Sequence, residues 1–164
     1  MRPKAILETA LYVDDLDEAE HFYSAVLGLD LISIVPGRNL FFRCGEGVLL
    51  LFDAAATRVA LQGPLPVPTH GASGQGHVCF RASSAEMDLW IVHLRNQGVE
   101  IEADFIWPSS GGRSIYFRDP LGQLLEQRRR YRWRPGRHDR ALERGLVGPA
   151  VRPVGRLDDC ASIP

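Results

Sequence analysis

The 164-residue sequence is poor in the features that define several protein classes. Its three cysteines, Cys44, Cys79 and Cys160, are widely spaced and form no CxxC motif, which excludes a disulfide framework and a zinc knuckle. No apolar run approaches the roughly 18 residues that span a bilayer, and the segment MRPKAILETA lacks the apolar stretch of a signal peptide. We therefore expect a cytoplasmic protein with reduced thiols and no membrane partner.

Charge is unevenly distributed, although the net charge is only -1. Residues 128–164 contain ten arginines and four acidic residues, whereas residues 1–127 contain 9 basic and 16 acidic ones. The segment 129–164 is also rich in proline and glycine, which predicts a basic, irregular extension. Its arginines, interleaved with Tyr131 and Trp133, could contact nucleic acid. Docking on the acidic body of the same chain is the favoured interpretation, so a nucleic-acid partner is not expected.

The sequence contains one structural unit twice. The segment YFRDPLGQLLEQ (116–127) aligns without gaps on FFRCGEGVLLLF (41–52), which places Glu126 on Leu51. The preceding segments match as well, because each reads as a strand, a polar turn, an amphipathic helix, a glycine and another strand. Each half is therefore predicted to be a β-α-β-β-β module, and His77 falls on the position of Glu8.

The predicted helix of each half has a start and a stop signal. In the first half, Asp15 is placed as a cap before a helical apolar stripe, and Gly28 follows the stripe. In the second half, Ser83 and Glu86 form a capping box, and Gly98 ends the helix. These signals support the same element order in both halves.

These patterns predict an α+β fold. Two βαβββ modules, at about residues 5–53 and 76–128, are expected to form a curved mixed sheet around a central cavity. They are joined by a Pro- and Gly-rich linker at 54–75 and make one domain over residues 1–128. The irregular extension at 129–164 completes the chain.

Strand alternation predicts which side chains face away from the helices. The run AILETALYV (5–13) is apolar on both faces, so Glu8 is expected to be buried and to need a partner for its charge. Leu11, Val13, Val78 and Phe80 should pack on the helices. The side chains expected on the opposite, cavity-facing side are those of Glu8, Tyr12, Phe41, Arg43, His77, Cys79, Arg81, Ser114, Tyr116 and Arg118.

Three motifs carry a family resemblance: LYVDDLDEAEHFYSAVLGL (11–29), GHVCF (76–80) and GRSIYFRDPLGQLLE (112–126). Together they resemble the vicinal oxygen chelate superfamily, which includes glyoxalase I, bleomycin resistance proteins, extradiol dioxygenases and fosfomycin-modifying enzymes. The resemblance covers about residues 5–128 and implies the fold predicted above. It also implies a small-molecule substrate and a homodimer, with the site either within one chain or shared between two chains.

The resemblance implies one divalent metal ion, Mn, Ni, Zn, Fe or Co, held by Glu8, His77 and Glu126. A fourth ligand position of glyoxalase-type members falls on Leu51, and leucine cannot bind a metal. Three ligands still suffice, because they leave open positions for a substrate. One imidazole with two carboxylates favours Lewis-acid chemistry, so the expected reaction is an isomerisation or a lyase reaction at vicinal oxygens. Glu8 or Glu126 would act as the catalytic base.

Three other functions stay open at this point. They are an extradiol-type ring-cleavage dioxygenase with Fe(II), a thiol transferase of the fosfomycin-resistance kind, and a non-catalytic binding protein that sequesters a drug such as bleomycin.

Six further residues are candidates for substrate binding. Arg113, which follows PSSGG, suits a substrate anion as well as a surface role. The other candidates are the aromatic residues Tyr12, Phe41 and Tyr116, the pocket-lining Cys79, and His70, which is a spare ligand, a proton carrier or without a role.

Overall fold

The computed structural model describes residues 1–61, 63–64, 66–108 and 111–129. The predicted irregular extension lies outside the described residues from position 130 onward. In chain order the elements are β1 (Glu8–Val13), α1 (Leu16–His21) continued by a π-helical turn (Phe22–Val26), β2 (Asp30–Val35), β3 (Asn39–Cys44), β4 (Gly47–Asp53), α2 (Ala54–Thr57), β5 (His77–Ala82), α3 (Ser84–Asn96), β6 (Ile101–Ile106), β7 (Arg113–Arg118) and β8 (Leu124–Arg129).

The strands form two four-stranded mixed sheets with the same topology, β1-β4-β3-β2 and β5-β8-β7-β6. In each sheet the first and last strands of the module pair in parallel, β1 with β4 and β5 with β8. The other pairs are antiparallel hairpins. The predicted α+β fold with two βαβββ modules is confirmed.

The helix signals are used as the sequence indicates. The Asp15 side chain accepts a hydrogen bond from the Glu18 amide at 2.9 Å, and Ser83 and Glu86 form a complete capping box. Gly28 and Gly98 end the two helices with φ of 68° and 74°, a conformation that strains residues with a Cβ. The short helix α2, within the segment predicted as linker, was not foreseen. Its start is capped by Asp53, whose carboxylate accepts from the Ala56 amide.

The hairpins correct one detail of the sequence repeat. Arg43 pairs with Val48, leaving four residues between them, whereas Arg118 pairs with Leu124, leaving five. The gapless alignment is therefore off by one residue beyond the turn, and the structural equivalent of Glu126 is Leu50. The assignment of Glu126 to Leu51 by the alignment is wrong, because Leu51 is fully buried on the helix-covered face of its sheet, whereas Glu126 lies on the opposite face.

Both sheets turn their helix-covered faces toward one hydrophobic core. The buried side chains of the two modules form a single cluster that includes Leu11, Leu51, Phe117 and Leu125. As expected from alternation, Leu11 and Val13 are buried, and residues two apart share a face. The other face of each sheet, here called its open face, consequently points away from this core.

Polar contacts join the modules beside the core. The buried Tyr23 hydroxyl donates to Asp119 Oδ2 at 3.0 Å, and His93 Nε2 lies 2.7 Å from the Val26 carbonyl oxygen. Gln123 donates to the Tyr12 carbonyl at 2.8 Å and accepts from the Gly76 amide at 2.6 Å. The turn between β7 and β8 therefore holds the first strand of the other module.

The start of β1 is more exposed than the sequence suggests. Glu8 is exposed, and the preceding Ile6 and Leu7 are 83% and 69% exposed. The expectation that Glu8 is buried is wrong for a single chain, because β1 is an edge strand and the part of the chain that the structure describes leaves the Glu8 side chain exposed. None of the helices in the described part of the chain is long and apolar enough to cross a membrane, and the cytoplasmic location stays a prediction.

Candidate functional site

The open face of the second sheet brings together His77 and Glu126, two of the three predicted metal ligands. His77 Nε2 lies 3.3 Å from Glu126 Oε2, where β5 and β8 run in parallel. The Glu126 side chain is 3% exposed and that of His77 is 45% exposed. The pair is therefore open to solvent only from the histidine side.

The second nitrogen of His77 defines what faces Glu126. Nδ1 lies 3.2 Å from the Leu124 carbonyl oxygen, which can only accept, so Nδ1 carries a proton. Nε2 is therefore the nitrogen that faces Glu126. With a proton it donates to the carboxylate in an ion pair, and without one its lone pair and the carboxylate are two acceptors that a cation can join. Two ligand atoms that each lie about 2.0–2.2 Å from one metal ion are about 3.0–3.4 Å from each other. The separation of His77 Nε2 and Glu126 Oε2 therefore fits two positions of a divalent metal site.

The other oxygen of Glu126 is engaged by the protein. Oε1 accepts from the Ser114 hydroxyl at 2.5 Å, and that hydroxyl accepts from Trp107 Nε1 at 2.8 Å. Arg128 Nε lies 3.9 Å from the same oxygen, and its guanidinium carbon lies 4.9 Å above the Trp107 ring. Ser114 is fully buried. Glu126 is thus fixed through Oε1 by Ser114, whereas Oε2 faces His77, with Cys79 and Tyr116 as further hydrogen-bonding neighbours of the carboxylate.

Cys79 and Tyr116 flank Glu126 as its register neighbours on β5 and β7. Partial burial of the Cys79 sulphur, followed by the nearby Glu126, raises the pKa of this thiol to about 12. The same causes raise the pKa of the Tyr116 hydroxyl to about 12. Both groups are protonated at neutral pH, so Cys79 is a poor nucleophile and a possible hydrogen-bond donor.

An aromatic sandwich completes this face. Tyr116 stacks on His77 with ring centroids 6.1 Å apart and on Phe105 at 5.9 Å. The stack limits the directions in which the His77 ring can turn. Tyr116 therefore both borders the site and orients its imidazole.

The first module places three other predicted residues together. Tyr12 hydroxyl lies 2.9 Å from His70 Nδ1, and the His70 ring lies edge-on to Phe52 at 4.6 Å. Phe52 also contacts Phe41, with centroids 5.7 Å apart. The His70 amide donates to the Thr57 carbonyl at 3.1 Å, which ties the linker to α2. These residues form an aromatic cluster at one end of the first sheet.

Arg113 lies apart from both groups. It lies on the same, helix-covered face of β7 as Ile115 and Phe117. Its guanidinium binds Asp104 through two nitrogens and Asp88 through the third, each at 2.7 Å. Hydrogen bonds to Asp104 and then to Asp88 raise the pKa of Arg113. Contact with a substrate anion would require these ion pairs to break.

The third predicted ligand, Glu8, is not brought to the His77–Glu126 pair within one chain. Among residues 1–61, 63–64, 66–108 and 111–129, no group of three or more His, Cys, Asp or Glu side chains is arranged to hold a metal ion. Glu8 lies on the open face of the first sheet, and the pair lies on the open face of the second. A single chain thus offers two protein ligands at one place and a third elsewhere.

Sequence reasoning offered Trp107 only as an aromatic wall and Arg128 only as a surface ion-pair partner of Glu126, and it connected neither Ser114 nor Trp107 with Glu126. Alternation had placed Ser114 on the cavity side, but it gave no partner for the hydroxyl. The pairing of Ser114 with Arg128 across β7 and β8 was the available signal, and it required the correct hairpin register.

The comparison with known proteins agrees with this architecture. A profile of the Glyoxalase/Bleomycin resistance protein/Dioxygenase superfamily matches residues 5–127. The chain is similar to a lactoylglutathione lyase from Agrobacterium tumefaciens, with 45% identity, coverage of 79% of this chain and 96% of that chain, and a TM-score of 0.74. It is also similar to a glyoxalase/bleomycin resistance protein/dioxygenase from Nocardioides, with 28% identity, coverage of 84% and 91%, and a TM-score of 0.63.

A more distant structure shares the fold. It is a mutant of the fosfomycin resistance protein FosX from Listeria monocytogenes, in complex with Mn(II) and a dihydroxypropylphosphonic acid. It is 22% identical, with coverage of 77% of this chain and 90% of that chain and a TM-score of 0.56. On the profile match and the 45% identical lyase, the chain belongs to the glyoxalase/bleomycin resistance protein/dioxygenase superfamily, that is, to the vicinal oxygen chelate proteins.

Proposed function

We propose that the protein is a divalent-metal-dependent enzyme that performs isomerase or lyase chemistry on a small substrate with vicinal oxygens. The observation that carries this proposal is the His77–Glu126 pair, in which Nε2 and Oε2 lie 3.3 Å apart, a spacing that suits two ligands of one cation. The 45% identity to a lactoylglutathione lyase supports the lyase class. The interconversion of lactoylglutathione with glutathione and methylglyoxal is accordingly the first reaction to test.

The metal site in this proposal is shared between two chains. His77 and Glu126 of one chain would hold the ion, and Glu8 of a second copy would complete the set. Three observations support a homodimer: Glu8 is exposed, the residues before it are apolar and exposed, and the two open faces point away from the common core. A second chain would cover this apolar segment.

The residues of the site suit proton transfer next to a carbonyl. When bound, a divalent cation polarises the substrate oxygens and stabilises the negative charge that develops on them. Glu126 is immobilised by Ser114, so it suits the role of a fixed ligand. Glu8 has no hydrogen bond or ion pair with the described residues and has the freedom to take and return a proton, which makes it the proposed base. Tyr116 and Cys79 remain protonated and can donate to substrate oxygens.

Metal analysis and turnover test the proposal directly. Purified protein should bind close to one divalent ion per chain, and with Mn, Ni, Zn, Fe or Co it should form lactoylglutathione from glutathione and methylglyoxal. Glu8→Gln should abolish turnover while it retains much of the metal. Equal loss of metal and turnover in this variant would make Glu8 a ligand only. A wild-type protein that binds no divalent ion would instead support a non-catalytic binding protein.

Mixed dimers test whether the site is shared. Glu8→Gln and Glu126→Gln chains are each expected to be inactive, but a heterodimer of the two contains one site with all its natural residues. Random mixing after subunit exchange should restore about a quarter of the wild-type activity. A site formed within one chain predicts no restoration. A mixture of Glu126→Gln with His77→Gln chains is the control, because both changes affect the same half-site and no intact site can form.

A further inference from the structure

We infer that Ser114 and Trp107 are positioning residues that hold Glu126 so that only its Oε2 is presented to His77 and to a bound cation. This inference rests on the proposed metal site. Neither residue touches the position of the cation. Both act through Glu126.

The donor and acceptor inventory fixes the direction of the two hydrogen bonds. The Trp107 indole nitrogen can only donate, so the Ser114 hydroxyl must be the acceptor in the 2.8 Å contact. The single hydroxyl proton of Ser114 is then available for Glu126 Oε1, which lies 2.5 Å away. The chain of bonds therefore runs in one direction, from indole to hydroxyl to carboxylate.

Burial gives this relay its effect. Ser114 is fully buried and Glu126 is 3% exposed, so water is largely excluded as a substitute partner. In such surroundings a missing partner is costly and the carboxylate orientation is strongly defined. With Oε1 engaged by Ser114, the lone pairs of Oε2 are the ones left for the open side.

Arg128 lies near the same oxygen of Glu126. Its guanidinium lies over the Trp107 ring at 4.9 Å and its Nε is 3.9 Å from Glu126 Oε1, beyond hydrogen-bond distance. It stacks on the indole and adds positive charge near the engaged oxygen. This charge favours the position of Oε1 on the side of Ser114.

The relay depends on a longer hairpin connection in the second module. Three residues separate Val35 and Asn39, the pair nearest the turn in the first module, whereas six separate Ile106 and Arg113, the corresponding pair in the second. Trp107 belongs to this longer connection, which is closed by the hydrogen bond from its amide to the Gly112 carbonyl. The longer connection between β6 and β7 thus places the Trp107 indole N–H beside the buried Ser114 hydroxyl.

Cation affinity of the dimeric protein is the first test. We expect Ser114→Ala to weaken binding of Mn²⁺ or Zn²⁺ by about 10- to 100-fold, the usual effect of losing a partner that orients a metal ligand. Trp107→Phe keeps a ring under Arg128 but removes the indole N–H, so it should weaken binding by a smaller factor. Ser114→Thr keeps the hydroxyl and should restore most of the affinity lost in Ser114→Ala.

Matched controls separate positioning from general damage. Ser33→Ala removes an exposed serine from a strand of the first module, and Trp90→Phe removes an indole from α3. Both should leave the dissociation constant unchanged. If Ser114→Ala lowers the melting temperature of the metal-free protein but binds the cation as the wild type does, the inference is overturned and Ser114 is only structural.

An NMR measurement on the metal-free protein tests the relay without any cation. The Trp107 indole N–H should exchange slowly and show a hydrogen-bonded shift, which Ser114→Ala should remove. Glu126→Ala should also move this signal, because it releases the hydroxyl that the indole binds. If neither Ser114→Ala nor Glu126→Ala changes the Trp107 indole signal, the inferred chain of hydrogen bonds is overturned. If the signal responds but the wild type binds no cation, the relay is present while the proposed function fails.

Discussion

The two modules have the same topology and nearly opposite chemistry on their open faces. On the helix-covered faces, three pairs of equivalent positions carry similar apolar side chains that are at most 2% exposed, Leu40 and Ile115, Phe42 and Phe117, Leu49 and Leu125, and one buried pair, Leu51 and Gln127, differs. On the open faces the equivalents differ: Glu8 and His77, Ala10 and Cys79, Leu50 and Glu126, Asn39 and Ser114, Phe52 and Arg128.

This difference separates the requirements of folding from those of the site. The helix-covered faces must fill one core, so hydrophobic burial keeps them alike. The open faces do not have to fill this core, and their side chains differ between the two modules. The second module provides a polar pair with its supporting hydrogen bonds, and the first provides Glu8 and an aromatic cluster.

The largest effect is expected from making the second module resemble the first at its most polar position. Glu126→Leu copies Leu50 and should reduce both cation affinity and turnover by more than about 100-fold, because it removes a proposed ligand and not only a partner of one. Calorimetric titration with Zn²⁺ measures the change. Glu126→Gln is the isosteric companion, and unaltered cation binding by both variants would contradict the proposed site.

A large difference in alkylation rate is expected between Cys79 and a cysteine introduced at the equivalent position of the first module, Ala10. Because the pKa of Cys79 is raised to about 12, its alkylation by iodoacetamide near pH 8 should be at least about 100-fold slower than that of a free thiol. The rate should still increase with pH above 10.

The matched variant places a thiol in the other module. Ala10→Cys lies beside Leu50 and lacks a neighbouring Glu126, so its alkylation should level off about two or more pH units earlier than that of Cys79. Peptide-resolved mass spectrometry of chelator-treated protein follows both sites. Equal pH profiles for the two cysteines would show that Glu126 and the local burial have no influence on Cys79.

A moderate effect is expected where the modules are joined. Asp119→Ala removes the partner of the buried Tyr23 hydroxyl and should lower the free energy of unfolding by about 1–3 kcal/mol. Asp119→Asn retains acceptors for the Leu121 and Gln123 amides and should cost less. Urea unfolding of both variants gives the comparison, and equal destabilisation would mean that the acceptor for the Leu121 and Gln123 amides contributes nothing to stability.

The same carboxyl gives a pH dependence with a defined sign. Burial raises the pKa of Asp119 above its ordinary value of 3.8, although hydrogen bonds from Gln123 and Tyr23 lower it in part. A raised pKa stabilises the folded state fully below 3.8, and this contribution is lost as pH rises through the folded pKa. The unfolding free energy of the wild type relative to Asp119→Asn should therefore be larger near pH 4 than at pH 7. The opposite trend would contradict the assignment.

The smallest effect should be equal in both modules. Gly28→Ala and Gly98→Ala each place a Cβ on a residue with φ near 70°, and no atom lies within 4 Å of either new Cβ. The cost is conformational and should be about 1 kcal/mol at each site. Thermal unfolding of the two single variants checks this, and clearly unequal losses would mean that the helix ends are not equivalent.

The sequence predicted the features that depend on local patterns. Helix caps such as Ser83 with Glu86 depend on residues three apart, and the faces of β1 and β5 follow from alternation, so both could be predicted. The pairing of His77 with Glu126 required the order of the strands, which the repeat and the family resemblance supplied.

Other features depend on relationships that a linear pattern does not contain. The position of Leu50 opposite Ala10 depends on the length of a turn, and the exposure of Glu8 depends on how the two sheets share one core. The partners of Arg113 come from β6 and α3, which are distant in sequence, so its ion pairs with Asp104 and Asp88 could not be foreseen. The contact of Trp107 with Ser114 depends on the length of one hairpin.

The extra residue in the turn between β7 and β8 has a consequence for protein engineering. Because side chains alternate between faces, a shift by one position exchanges the core for the surface along the whole following strand. A transplant of Glu126 into the first module guided by sequence identity would target Leu51 and introduce a charge into the core. Guided by strand pairing, it would target Leu50, which pairs with Ala10 on β1. Glu8 lies two residues before Ala10 on the same strand and face. Duplicated modules such as these must therefore be aligned by their hydrogen-bonded partners before their residues are exchanged.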